Sequence, residues 1–130
     1  MIVLGIETSC DETSVAIVKK KNRLLLGDVL AETTLSQIKK HQKFGGVVPE
    51  LASREHSNNL NYLVKKTIKK SGLSLSEIDA FAATVGPGLL GGLIIGSNYA
   101  KTLALTSRKP FIAINHLEGH ILVTRMKRKV

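Results

Sequence analysis

The sequence contains few of the residues on which several classes of protein depend. Its 130 residues include one cysteine, Cys10, no tryptophan and only 4% aromatic residues. A single cysteine excludes an internal disulfide and favours a reducing compartment, so we expect a cytoplasmic protein. A lone cysteine is more often a small buried residue than a nucleophile. Because aromatic residues are so few, the hydrophobic core must be mainly aliphatic.

Acidic residues are also scarce. There are 10 acidic against 19 basic residues, and the formal net charge is +9. This excess favours a polyanionic partner such as nucleic acid, and a lysine-rich surface without such a partner is an equal alternative. The basic segment 37–44 and the lysines that follow Tyr62 are the candidate contacts.

The sequence lacks a secretory signal and a long apolar run. Met1 leads directly into the apolar segment 2–6, without a charged region before it. The apolar run 89–105 contains Ser97, Asn98 and Lys101 and is shorter than the roughly 20 residues that a membrane span needs. We therefore expect a buried helix here and no membrane association.

Hydrophobic periodicity predicts an α/β protein with the element order β-β-β-α-β-α-β-α. The first three strands form an antiparallel meander, and the later crossovers imply a mixed sheet of about five strands. Pro49 suits the first turn of a long helix, which Gly72 ends. Residues 35–46 are predicted to be a mobile loop. Strands are expected over 2–7, 13–19, 23–33, 78–85 and 111–114, and a second long helix over 89–107.

Two turns at the ends of predicted strands are candidate anion sites. Thr8 and Ser9 lie with Asp11 in a turn whose hydroxyl and N–H groups suit a phosphate or a metal-bound phosphate. Gly86 and Gly88 precede a helix N-terminus, where free N–H groups and the helix dipole favour anions. A purely structural role is more common for a polar turn and equally common for such glycines, so both interpretations stay open.

Small residues recur every four positions along the second long helix. Glycine inside a helix costs up to about 1 kcal/mol relative to alanine, so a packing reason is expected. A face without side chains lets another backbone approach closely, either the chain's own sheet or the helix of a partner molecule. The candidate interface residues are Gly88, Gly92, Gly96 and Ala100.

Two histidines near the end of the sequence are four residues apart. His116 and His120 would lie on one helical face, one turn apart, where both imidazoles can reach one metal ion. A metal site usually needs at least three ligands, and most such pairs are not metal sites. Glu118 lies two positions after His116 and on another side of the helix, so the motif is not the His-Glu-x-x-His of metalloproteases.

Four segments of the sequence form a specific set, LGIETSCDET at 4–13, FGGVVPELASR at 44–54, TVGPGL at 84–89 and NHLEGH at 115–120. Together, and in this order, they resemble the N-terminal half of the tRNA N6-adenosine threonylcarbamoyltransferase family (TsaD). The resemblance implies an actin-like, ribonuclease H-like ATPase fold, with residues 1–130 as the N-terminal domain and the family's second domain absent. The basic tail from Thr124 onward does not resemble the family, which suggests a truncated sequence, a split gene or a frameshifted reading frame.

The same resemblance implies a reaction and its cofactor. The family transfers a threonylcarbamoyl group from threonylcarbamoyl-AMP to N6 of the adenosine next to the anticodon, which forms t6A. One divalent metal ion, iron or zinc, would be held by His116, His120 and an aspartate of the second domain, and would polarise the carbamoyl group. Asp11 matches a family acid and would contribute to catalysis. ATP is a further candidate ligand.

The implied partners are tRNA, a TsaB-like paralogue and a TsaE-like ATPase. The two long helices would contact the paralogue or a second copy of this chain. Because the third metal ligand would be missing, we expect the chain to be inactive alone. Two alternatives stay open: a non-catalytic dimerisation or scaffold domain of the same complex, and an inactive truncated gene product.

Overall fold

The computed structural model describes residues 1–21, 27–123 and 126–128. The strands are β1 (Ile2–Glu7), β2 (Glu12–Lys20), β3 (Gly27–Ser36), β4 (Ala80–Gly86), β5 (Phe111–Asn115) and β6 (Met126–Arg128). The helices are α1 (Ile38–Gln42), α2 (Pro49–Ser71), α3 (Leu90–Ser107) and α4 (His116–Leu122), with a 3-10 turn at Leu75–Glu77.

These strands form one mixed sheet in the order β5-β4-β1-β2-β3-β6. The strands β1, β2 and β3 pair antiparallel, as the predicted meander requires, and β4 and β5 are parallel to β1. The short strand β6, parallel to β3, was not predicted. Residues 23–26 of the predicted third strand lie outside the described residues.

The core lies between one face of the sheet and the helices α2 and α3. Alternate side chains of β1 and β2 point to this face, because successive residues of a strand face opposite sides. The other face of these two strands is only half-buried. The core cluster comprises Leu4, Ile6, Val15, Ile17, Leu60, Leu63, Val64, Ile78, Phe81, Ala83, Ala100 and Ala104.

Both predicted end signals of α2 are confirmed. Pro49 is in the first turn, where its missing N–H group costs no helical hydrogen bond. Gly72 caps the helix in the left-handed conformation, with φ of 73°, and its N–H donates to the carbonyl of Lys69. The helix therefore spans the interval that its sequence signals define.

Of the segment 35–46, for which polar composition predicts a mobile loop, residues 35–42 belong mainly to β3 and α1, and only residues 43–46 form an exposed turn. The strand β3 continues to Ser36, and α1 follows it. Gln37, which precedes α1, and His41 within α1 are both buried. The N–H of Val48 donates to His41 Nδ1 at 3.0 Å, so Nε2 carries the proton and donates to Gln37 Oε1 at 2.7 Å. The prediction was wrong because these polar side chains are buried by pairing with each other.

None of the helices within the described part of the chain is long and apolar enough to cross a membrane.

Replacing Gly72 by alanine is expected to lower the free energy of unfolding by about 1–2 kcal/mol, because a side chain is strained at positive φ. The space around Gly72 is open, so the loss would come from the backbone alone. Gly46→Ala is the matched control, since Gly46 has open space and no positive φ. Urea denaturation measures both, and equal stabilities for the two variants would contradict this explanation.

Candidate functional site

Three parallel strands end at the same edge of the sheet. The strands β1, β4 and β5 end at Glu7, Gly86 and Asn115. The turn 8–11, the turn 86–89 and the start of α4 therefore meet there. In open α/β sheets, ligands bind outside the carboxyl ends of the strands, so this edge is the candidate site.

The helix α4 brings the two histidines together. The side chain of Asn115 caps the helix, and its Oδ1 accepts hydrogen bonds from the N–H groups of Leu117 and Glu118. His116 Nε2 and His120 Nε2 are 3.0 Å apart, and the rings meet at 80°. The predicted placement on one helical face is confirmed, whereas binding of a metal stays a prediction.

The two Nε2 atoms lie close to the separation that two ligands of one metal ion have. Two ligand nitrogens at about 2.0–2.1 Å from a tetrahedral zinc ion lie roughly 3.3 Å apart, close to the observed 3.0 Å. Within the described residues, no group of three or more His, Cys, Asp or Glu side chains could hold a metal. The pair therefore fits part of a metal site and needs further ligands.

Glu7 connects the end of β1 to His116. Its Oε1 accepts from the N–H of Ser9 at 2.6 Å, and its Oε2 accepts from Thr84 Oγ1 at 2.5 Å. The same Oε2 lies 3.2 Å from His116 Nδ1. Burial raises the pKa of the Glu7 carboxyl, but hydrogen bonds from Ser9, Thr84 and His116 outweigh it and hold that pKa below its ordinary value. Sequence reasoning missed Glu7, and its position at the end of a buried strand was the available signal.

The predicted anion contacts divide into two groups. Thr8 is buried, and its hydroxyl donates to the carbonyl of Gly92 at 2.6 Å, so it is not available to a ligand. Ser9 Oγ lies 3.0 Å from His116 Nδ1 and belongs to the histidine site. A Cβ at Gly88 would lie 2.7 Å from that of Ser9, so close packing explains this glycine, whereas a Cβ at Gly86 would meet open space.

The glycine face of α3 packs against the chain's own sheet. A Cβ at Gly92 would collide with the carbonyl oxygen of Thr8, and one at Gly96 with the hydroxyl of Thr8. Ala100 is fully buried in the core. The assignment of Gly92, Gly96 and Ala100 to an interface with a partner is therefore wrong. The outer face of α3 instead exposes Leu90, Ile94 and Leu105.

His56 supports the turn 8–11 from the core side, and sequence reasoning missed it. It is fully buried, its Nε2–H donates to the carbonyl of Cys10 at 2.8 Å, and its Nδ1 accepts from Thr13 Oγ1 at 2.7 Å. Burial lowers the pKa of the imidazole, which supports the neutral form that this pairing requires. His56 therefore holds the turn in place as a neutral side chain.

Cys10 and Asp11 complete the turn. Cys10 is exposed, so the expectation of a buried cysteine was wrong. Partial desolvation of the thiol and the neighbouring Asp11 carboxylate raise the pKa of Cys10, which keeps it protonated. The structure does not join Asp11 to the histidine pair. Asp11 instead lines a cavity of about 320 Å³ together with Ile38, His41, Gln42, Gly45, Gly46 and Val47.

Comparison with known proteins identifies relatives over nearly the whole chain. The family model described as TsaD, tRNA N6-adenosine threonylcarbamoyltransferase, matches residues 28–130. Curated proteins of that name from Brucella ovis and Brucella canis are each 54% identical over 126 residues, which is 97% of this chain. The chain spans 35% of the length of these relatives.

Similar solved structures confirm the fold class. YeaZ from Pseudomonas aeruginosa matches with a TM-score of 0.63 and 22% identity, over 88% of this chain and 42% of that one. RuvC of T. thermophilus, in complex with a Holliday junction substrate, has a TM-score of 0.53 and 13% identity, over 91% of this chain and 66% of that one. At these identities the likeness concerns the fold alone, which is the predicted actin-like, ribonuclease H-like fold.

Replacing Gly92 by alanine is expected to destabilise the protein by about 1–3 kcal/mol, because the new methyl group overpacks the contact with Thr8. Gly119→Ala is the control, since a Cβ at Gly119 meets open space and alanine favours a helix. Chemical denaturation followed by circular dichroism compares them. A Gly92→Ala variant as stable as the unchanged chain would show that the close approach is unnecessary.

His56 is expected to make stability depend on pH. Because its folded pKa is lowered, the unfolded chain takes up a proton at His56 below about pH 6.5 before the folded chain does. Its stabilising contribution is complete above that pH and is lost as the pH falls towards the folded pKa. In His56→Gln, the fall in unfolding free energy on acidification should be smaller than in the unchanged chain. Equal pH dependence in both proteins would contradict this.

Proposed function

The chain belongs to the tRNA N6-adenosine threonylcarbamoyltransferase family, and we propose that it provides the histidine-bearing part of that enzyme's active site. The reaction acylates N6 of the adenosine beside the anticodon with the threonylcarbamoyl group of threonylcarbamoyl-AMP, and AMP leaves. The observation that carries the proposal is the 3.0 Å approach of His116 Nε2 to His120 Nε2. This pair lies at the edge of the sheet where ligands of such folds bind.

The proposed cofactor is one divalent metal ion, iron or zinc, held by Nε2 of His116 and Nε2 of His120. When bound, such an ion supplies Lewis-acid polarisation of the carbonyl oxygen that is attacked. A complete site needs further ligands, and we propose that they come from substrate, water or a segment outside these 130 residues.

The turn residues are proposed to act on the substrate side of this site. Ser9 and Gly86 are the proposed contacts to the adenylate, and ATP is a further candidate for the same position. Asp11 is the proposed catalytic contributor, because N6 loses a proton on acylation and a carboxylate can accept it; its side chain lines the cavity beside α1 in this structure, so this role requires the adenosine to reach that side of the turn. Asp11 is part of the same turn as Ser9, which Glu7 and His56 hold through hydrogen bonds.

The surface of α2 supports tRNA as the partner. Lysines lie on its exposed side near the C-terminus of the helix, and Lys66 Nζ is 5.7 Å from the centre of the Tyr62 ring. Together with the net charge of +9, this arrangement suits the phosphate backbone of a nucleic acid. The proposed tRNA-contacting residues are Lys65, Lys66, Lys69 and Lys70.

A second candidate function is that of a non-catalytic dimerisation or scaffold domain. Leu90, Ile94 and Leu105 favour it, because they share the outer face of α3 and are exposed. The proposed partner of this face is a TsaB-like paralogue or a second copy of the chain, and a TsaE-like ATPase would join the cytoplasmic complex. The histidine pair has no role in this second function. Zinc binding by the pair and transfer activity that depends on it would therefore favour the first function over the second.

Zinc binding provides the most direct test of the histidine pair. The 130-residue chain is expected to bind one Zn²⁺ ion in isothermal titration calorimetry, and His116→Ala or His120→Ala should abolish binding. His41→Gln is the control, because both nitrogens of His41 are engaged by Gln37 and Val48. Circular dichroism checks that each variant is folded. Equal zinc binding by His120→Ala would rule out the pair as ligands.

The reaction itself is tested by complementation. The chain is mixed with a polypeptide that carries the remaining family sequence, the two partner proteins, tRNA and threonylcarbamoyl-AMP, and t6A is measured by mass spectrometry. The mixture should form t6A, and either histidine-to-alanine change should lower the rate by about 100-fold or more, since a Lewis acid contributes several kcal/mol. Failure of a fully folded mixture would reject the enzymatic proposal.

A further inference from the structure

The Glu7 carboxylate faces the nitrogen of His116 that points away from His120. Its Oε1 is occupied by the N–H of Ser9, and its Oε2 accepts the hydroxyl of Thr84 and lies 3.2 Å from His116 Nδ1. On its other side, His116 presents Nε2 to His120 at 3.0 Å. The imidazole therefore lies between a carboxylate and its partner imidazole.

This arrangement determines which nitrogen of His116 carries the proton. An ionised carboxylate only accepts hydrogen bonds, so a neutral imidazole beside it is favoured with the proton on Nδ1. Ser9 Oγ, 3.0 Å from the same Nδ1, can donate or accept and so does not select a tautomer by itself. With Nδ1 protonated, the lone pair of Nε2 points towards His120.

We propose that Glu7 is a positioning residue that holds His116 in the Nδ1–H tautomer, so that Nε2 is ready to bind a metal. The inference deepens the proposed function and rests on it for the role of the metal. A carboxylate behind a histidine ligand fixes its orientation and raises its basicity. Thr84 holds the carboxylate at the end of β4, and the N–H of Ser9 holds its other oxygen.

The same geometry assigns the opposite tautomer to His120. Because His116 Nε2 carries a lone pair, the 3.0 Å contact between the two Nε2 atoms requires His120 to donate from Nε2. His116 is therefore prepared as a ligand in the metal-free chain, whereas His120 is not. On binding a metal, His120 would lose its Nε2 proton to solvent and take up a proton at Nδ1.

Long-range ¹H–¹⁵N NMR correlations of the metal-free 130-residue chain test the assignment directly. In mildly alkaline buffer, where imidazole is neutral, His116 should show the Nδ1–H tautomer and His120 the Nε2–H tautomer. Zn²⁺ should convert His120 and leave His116 unchanged. This measurement needs no substitution, and an Nε2–H tautomer at His116 in the unchanged chain would overturn the proposal.

Glu7→Gln is the decisive variant. The N–H of Ser9 requires the amide oxygen on its side, so the amide NH₂ group would face His116 Nδ1 and donate to it. His116 should then change to the Nε2–H tautomer, and Zn²⁺ affinity should fall by about 10-fold to 100-fold. Retention of the Nδ1–H tautomer with unchanged Zn²⁺ affinity would overturn the proposal.

Two further variants test whether the tautomer of His116 depends on Glu7 or on another group. Glu118→Gln also removes one negative charge, but from an exposed position on α4 that faces another side of the helix than the histidines. Ser9→Ala removes the other side-chain oxygen near His116 Nδ1. Both should keep the Nδ1–H tautomer, and a change caused by Ser9→Ala but not by Glu7→Gln would assign the role to Ser9 instead.

These readouts are independent of threonylcarbamoyl transfer. The tautomers are measured without metal, tRNA or adenylate, so a failure of the transfer assay leaves the assignment of Glu7 standing and rejects only the proposed reaction. An active mixture in which His116 has the wrong tautomer rejects Glu7 as the positioning residue and retains the reaction.

Discussion

The close approach of α3 to the turn 8–11 is the constraint on which the rest of the site depends. Three hydrogen bonds hold the turn. The hydroxyl of Thr8 donates to the carbonyl of Gly92, and the N–H of Leu89 donates to the carbonyl of Ser9. His56 donates to the carbonyl of Cys10. Glycine at position 92 leaves room for this contact. Because the turn follows β1 directly, its position also fixes Glu7 and Ser9 beside His116.

The site is therefore built from backbone turns at one sheet edge rather than from one continuous motif. The parallel strands β1, β4 and β5 place Glu7, Thr84 and the start of α4 near the same edge of the sheet. A carboxylate with bound donors on both oxygens stays ionised, and an ionised carboxylate orients the imidazole that it contacts. The fold thus contributes to the proposed metal site through residues that would not touch the metal.

The sequence predicted features that depend on neighbouring residues. Pro49, Gly72 and the pair His116 and His120 each act within one or two helical turns, so spacing alone locates them. Glu7 lies 77 residues from Thr84 and 109 from His116, and no local pattern carries such contacts. The buried pair Gln37 and His41 was missed for a related reason, because polarity predicts exposure unless the hydrogen-bond partner is known. Membership of the family supplied the reaction, which neither spacing nor geometry defines.

His116 and His120 are proposed to bind one metal ion together through Nε2. X-ray absorption at the zinc edge of the zinc-loaded chain counts imidazole ligands and measures their distances. We predict two imidazole nitrogens at about 2.0–2.1 Å from the zinc, with the remaining ligands being oxygen donors such as water. A spectrum with one imidazole or none would contradict the account.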